Sequence, residues 1–240
     1  MITVHADIIG SLLRPPELLA AQKQLAAGTL AAKEFQAIED RAVDDAIALQ
    51  EGVGLEVVSD GELRRQSFQS QMTAAVSGFG SFDLDAFLWG EWYDQDGVAK
   101  KLRPRRLGAV EKLQRRRYLS ADEFAYLKSK SKRIAKITIP SPSLWANFWS
   151  PKYSRDAYPT LELFLADIVA ILREEVAELV RLGARYIQLD APHYGLLLDP
   201  KTRAFYEKLG WKLDQWLSLG IDLDNSVIAG FPRVTFGFHI

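Results

Sequence analysis

Short apolar runs alternate along this chain with longer stretches of helical period. The first run, ADIIGS (Ala6–Ser11), reads as a strand ended by Gly10 and the Pro15-Pro16 pair. A helical region follows from about Glu17 to Glu51, interrupted at Gly28. In its second half Phe35, Ile38, Ala42, Ala46 and Leu49 recur at the spacing of one helix face. GLEVVSDGE carries a second strand, from about Leu55 to Ser59, and AKITIPSPS a third, stopped by Pro140 and Pro142. TLELFLADIVAILREEVAELVRLG has the strongest helical period in the chain, with Thr160 as its candidate cap and Gly183 at its stop. ARYIQLDAP is a fourth strand. Helical pieces near Thr202–Leu209 and Leu213–Leu219 lead to a fifth, RVTFGFHI. Strands alternating with helices predict βα units, a parallel sheet and an α/β fold.

The alternation is uneven between the second and third strands. Residues 66–133 hold a long excursion, rich first in aromatics (FLWGEWYDQDG) and then in Lys and Arg (KKLRPRRLGAVEKLQRRRYLS). It reads as an insertion over one face of the sheet, within a single domain spanning residues 1–240. The basic run suits either a solvated helical face, the commoner role of such runs, or contact with an acidic substrate tail.

Composition narrows the choices. The chain has 240 residues, 48% of them hydrophobic and 25% charged, and a net charge of −1, an ordinary globular balance with no bias toward nucleic acid or a membrane surface. It has no cysteine, so disulfides and internal thiolates are excluded. No apolar run approaches the ~20 residues of a membrane helix and the N-terminus has no secretion signal, so a cytoplasmic location is expected.

Each candidate strand ends in polar residues: Ser11, then Asp60 and Glu62, then Ser141 and Ser143, then Asp190, then His239. In parallel α/β folds ligands bind beyond the carboxyl ends of the strands, although a strand-end Asp or Ser also serves as a helix cap or turn former. No GxGxxG, P-loop lysine or HExxH is present. A triad of Ser141, His239 and Asp190 has no GxSxG elbow to support it.

HADIIGSLLRP, VVSDGELRR, IPSPS, ARYIQLDAP and TFGFHI, in this order and spacing, resemble the cobalamin-independent methionine synthase family, in its single-barrel, C-terminal catalytic-domain form. The resemblance implies a (β/α)8 TIM barrel with catalytic zinc at its mouth, a thiol substrate and 5-methyltetrahydrofolate as methyl donor. It implies that Ile9, Gly10 and Ser11 hold the amino-acid carboxylate, and that Glu62 and Asp190 grip the amino group. Trp145 falls near the tryptophan that the family sets against the folate ring. His239 matches the histidine of the family's His-x-Cys zinc motif. No residue is singled out as the proton donor. Ala191 stands where the synthases have glutamate, which keeps open alkyl transfer to another thiol, as in the epoxyalkane:coenzyme M transferases, and a ligand-binding barrel remnant without catalysis.

The five strands correspond to about the first five βα units. At their spacing eight units would need roughly 380 residues, against ~250 typical of the fold. The chain stops at Ile240, one residue after His239 and inside the His-x-Cys motif, so further zinc ligands are expected elsewhere. A barrel piece of this kind leaves sheet edges to pair with a completing chain or with copies of itself.

Overall fold

The computed structural model describes residues 6–82, 91–93, 99–101, 107–208, 210 and 212–240. Two helices, α1 (Pro16–Ala26) and α2 (Ala32–Gly52), open the described chain, separated at Gly28 as the sequence predicts. Strand β1 follows, reduced to Val57–Val58. The excursion contains helix α3 (Ser70–Ala75), strands β2 (Val76–Gly80), β3 (Glu91–Tyr93), β4 (Ala99–Lys101) and β5 (Gly108–Arg115), and helix α4 (Ala121–Lys130). Then come β6 (Ile134–Pro140), a 3-10 turn at Pro142–Phe148, α5 (Leu161–Arg181) and β7 (Tyr186–Asp190). Helices α6 (Pro192–Leu196), α7 (Pro200–Lys208) and α8 (Leu213–Ile228) precede the last strand, β8 (Thr235–His239).

Strands β1, β6, β7 and β8 form one parallel sheet in that order. Spatial order follows chain order, and helical crossovers join the strands, as in the wall of a (β/α) barrel. Two antiparallel ribbons, β2 with β5 and β3 with β4, come from the excursion.

The sheet has two unlike faces. Along β6 and β7, Ile137, Ile139, Ile187 and Leu189 form one face, fully buried against α5 residues such as Phe164, Ile168, Leu172 and Val176. The alternate positions, Lys136, Thr138, Gln188 and Asp190, form the other face, and all four are buried too. Side chains alternate sides along a strand, so this two-residue period separates a helix-packed face from a polar interior.

Two expectations change. Ala6–Ser11 joins no strand ladder. Its backbone is claimed by side chains instead: Lys136 Nζ donates to the carbonyl of Ile8, and Gln188 Nε2 donates to that of Ile9 at 2.6 Å. The described end of the basic run is not a helical face. It lies on β5, whose backbone pairs with β2, while Arg115 pairs with Glu174 and Arg116 with Ser77. Most of the aromatic stretch FLWGEWYDQDG falls outside the described residues.

Candidate functional site

The turn after β1 is built tightly. Gln50, on α2, donates from Nε2 to the carbonyl of Ser59 at 2.8 Å and accepts the Ser59 N–H at 2.9 Å, which fixes where the strand ends. Gly61 has φ +65, and a Cβ there would lie 2.9 Å from Leu12, so the turn demands glycine. Glu62 follows with φ +54, the left-handed region, its N–H received by Asp60 Oδ1 at 2.9 Å. A non-glycine residue held there stores strain of order 1–3 kcal/mol, and such strain concentrates at functional sites. The turn points the Glu62 carboxylate inward, where it is 2% exposed.

That carboxylate is well held. Ser11 Oγ donates to Oε2 and Thr138 Oγ1 donates to Oε1, each at 2.5 Å, and Arg65 Nη1 stands 3.4 Å from Oε1. Gly10 passes so close that a Cβ would sit 3.6 Å from Oε1. Arg65 is buried with Glu123, 2.8 Å from Nη2, and also donates to Thr138. Burial alone would weaken its guanidinium, but the charges of Glu123, Glu62 and Asp60 outweigh that and raise its pKa. Burial pushes the Glu123 carboxyl up to about 7 against the pull of Arg65.

Asp190 ends β7, two strands from β1. Gln188 Nε2 donates to its Oδ1 at 2.6 Å, and His239 Nδ1 lies 3.3 Å from the same oxygen. Asp190 and His239 are register partners on adjacent parallel strands, so they emerge side by side. Burial raises the Asp190 carboxyl to about 6; the Gln188 hydrogen bond opposes this, and the charge of Glu62 adds to it. Lys136, deeper on the same face, donates to Gln188 Oε1 and to Asp7 Oδ2, both at 2.9 Å. One connected polar surface therefore runs from Ser11 and Glu62 through Thr138 and Gln188 to Asp190 and His239.

Of the residues singled out in the sequence, Ser11, Gly10 and Glu62 are brought together, as are Asp190 and His239. Ile9 contributes its backbone carbonyl to Gln188, while its side chain stays exposed. Trp145 is not brought to this surface. It is 0% exposed, with its ring packed at 5.6 Å from Phe79 and 4.6 Å from Phe148, and it has no face left for a ligand. Ser141 bonds Asp224, not His239, so the triad of Ser141, His239 and Asp190 does not form. Arg65, Thr138, Gln188 and Lys136 were missed. The signal for the last three was present in the polar–apolar alternation of AKITIP and YIQLD.

A zinc site of the kind implied by the family needs thiolates beside a histidine. This chain has no cysteine, and among the described residues no group of three or more His, Asp or Glu side chains could hold a metal ion. His5 lies outside the described residues, and His193 is engaged with Ser143. These donors do not fit a resident zinc.

A βα wall with buried carboxylates at its strand ends defines a barrel-type protein whose mouth suits a cationic ligand. Residues 2–217 match the family model of the cobalamin-independent synthase catalytic domain, and the chain belongs to that family. It is 30% identical over 236 residues to the methionine synthase of Pyrococcus abyssi, covering 98% of this chain and 60% of that protein. It is 25% identical to the uncharacterized protein YxjH of Bacillus subtilis, covering 98% of this chain and 61% of that one. The chain thus spans about three-fifths of the length of the curated relatives it matches. Among solved structures, a B12-independent methionine synthase from Listeria monocytogenes superposes with a TM-score of 0.74 at 20% identity, covering 98% of this chain and 64% of the other. One from Shewanella sp. W3-18-1, in complex with selenomethionine, superposes with a TM-score of 0.63 at 21% identity, covering 88% and 54%. At these identities the structural likeness establishes the fold. None of the described helices is long and apolar enough to cross a membrane.

Proposed function

We propose that this chain forms the amino-acid-gripping part of a thiol methyltransferase, with homocysteine as the thiol and a 5-methyltetrahydrofolate-type methyl donor. The observation that carries this reading is the pair of buried carboxylates, Glu62 and Asp190, on one polar face. The charge of one raises the pKa of the other, so a cation entering between them is favoured. An amino acid brings such a cation in its ammonium group. Its carboxylate has partners close by, because the backbone N–H groups of Gly10 and Ser11 make no hydrogen bond among the described residues.

The chain's own residues do three things in this reading. Glu62 and Asp190 orient the ammonium, which fixes where the sulfur lies. Ser11, Thr138 and Arg65 hold Glu62 in its strained turn. Gln188 ties Asp190 to the segment that carries Ile9 and Gly10.

Calorimetric titration tests the proposal. The protein is expected to bind homocysteine and to lose that binding in Glu62→Gln. Binding of 2-mercaptoethanesulfonate, a thiol with no amino group, in preference to homocysteine would overturn the amino-acid reading and favour the coenzyme M type of reaction.

A further inference from the structure

A buried charge from the excursion stands behind Glu62. Glu123 lies in the first turn of α4, where a glutamate ordinarily reaches back to cap its own helix. Here Glu175 on α5 does that work, its carboxylate accepting the Leu119 and Ser120 N–H groups at 2.6 and 2.8 Å. Glu123 is turned inward instead. Arg65 Nε donates to its Oε2 at 2.9 Å, and Arg65 Nη2 stands 2.8 Å from the same oxygen. Gln71, on α3, donates from Nε2 to Glu123 Oε1. Arg117 sets the orientation of that amide, because its Nη2 donates to Gln71 Oε1 at 3.0 Å. Both Arg65 and Gln71 approach as donors, and a carboxylate that only accepts meets them in its ionised form.

Arg65 divides its charge between two carboxylates, and unequally. Its Nε and Nη2 edge lies on Glu123, whereas Nη1 donates to Thr138 Oγ1 at 2.9 Å and remains 3.4 Å from Glu62 Oε1. Thr138 Oγ1 accepts from Arg65 and donates to Glu62, so a hydroxyl bridges the cation and Glu62. All three charged groups are buried, where they are screened little. Without the charge of Glu123, the guanidinium would be left to Glu62 and Asp60, the other two carboxylates that raise its pKa. A carboxylate closed on its own arginine is a poor partner for a ligand cation, because binding must first break that pair.

We propose that Glu123 is a positioning residue for ligand binding: it holds Arg65 away from Glu62, so that Glu62 keeps a negative charge free for the ammonium of an amino-acid ligand. The identity of the ligand rests on the reading given above; the hold of Glu123 on Arg65 does not. Glu123, Gln71 and Arg117 all belong to the excursion, so a segment outside the βα repeat sets the charge of the site. The consequence is selectivity. The same arrangement disfavours a ligand that lacks the ammonium and brings only its carboxylate.

Glu123→Gln tests this at about pH 8, above the value of about 7 to which burial raises the Glu123 carboxyl. The single change leaves its new amide facing the Gln71 amide, donor to donor. A second variant therefore joins Glu123→Gln to Gln71→Glu, which moves the charge from Arg65 to Arg117 and restores a donor and an acceptor at each contact. Homocysteine binding is expected to weaken in both, on the order of three- to tenfold, as for a charge that moves its neighbour by about half to one pKa unit. 4-Mercaptobutanoate, which is homocysteine without its amino group, is expected to bind as well as before or better. Crystal structures of the variants are expected to show Arg65 Nη1 closing on Glu62 Oε1 from 3.4 Å to a direct pair of about 2.8 Å. Equal weakening of both thiols, or of neither, overturns the inference, as does an Arg65 that stays in place. If the unsubstituted protein binds no homocysteine, the amino-acid reading fails by itself, and the position of Arg65 in the variants alone upholds or overturns the role of Glu123.

Discussion

Nδ1 of His239 stands 3.3 Å from Oδ1 of Asp190, on register-paired ends of two parallel strands. The same carboxylate oxygen takes the amide of Gln188. This arrangement makes Asp190 sensitive to pH. Burial raises its carboxyl from 3.8 to about 6, so the folded protein holds that proton more tightly than the unfolded chain. Its contribution favours the fold most below 3.8 and is lost as pH rises toward 6, above which an ionised buried carboxylate is carried at a cost. An ammonium ligand pairs only with the ionised form. Homocysteine affinity is therefore expected to rise from about pH 5 to pH 7, and Asp190→Asn to flatten both that rise and this part of the stability profile. Titrations at several pH values check it; an equally steep rise in Asp190→Asn removes Asp190 as its source.

Glu62→Gln is expected to weaken homocysteine binding far more than donor binding. A charge-assisted hydrogen bond is worth about 1.5–3 kcal/mol, so the dissociation constant should rise roughly 10- to 150-fold. Asp190→Asn acts in the same direction, and the double variant should fall short of the sum, since both groups hold one ammonium. Unchanged affinity with a lower melting temperature would leave Glu62 a purely structural role with Ser11, Thr138 and Arg65.

Arg65→Met should be among the most destabilising single changes in the chain. It leaves Glu62 and Glu123 buried without their cation, a situation that typically costs about 3–5 kcal/mol. Adding Glu123→Gln should recover part of the loss. Urea unfolding measures both, and a loss below about 1 kcal/mol in the single variant would show that water reaches these carboxylates.

Metal analysis of the purified chain is expected to find less than one zinc per molecule after mild chelation, because its donors do not converge on a tetrahedral site. One retained zinc per chain would point to His5 as part of a site with nearby carboxylates.

Among the described residues β8 pairs only with β7, and Phe238 and Ile240 beside that edge are 43% and 70% exposed. A bare strand edge of this kind recruits another strand. Light scattering should show self-association or a mixture of sizes; a monodisperse monomer across a hundredfold range of concentration would show that the edge is covered.

Much of this organisation is legible in the residues alone. Thr160 caps α5 by accepting the Leu163 N–H, and Gly183 ends its C-terminal turn at φ +97, because caps and left-handed glycines are local requirements. Four of the five expected strands join one parallel sheet in chain order, because apolar runs and turn residues mark βα units locally. The placement of Glu62 inside a turn was legible from DGE, and that of Asp190 at a strand end from QLDAP. The tertiary structure alone decided the rest. Ala6–Ser11 has the composition of a strand but no ladder, because Lys136 and Gln188, more than a hundred residues away, take its carbonyls first. Trp145 went to the core because Phe79 from the excursion closes over it. Arg65 looks in sequence like Arg64 beside it, yet it alone is fully buried, because Glu123, 58 residues away, is delivered to it next to Glu62. Local periodicity specifies which residues share a face; which charges meet depends on loop closures that bring distant segments together, and no short window of sequence contains both partners.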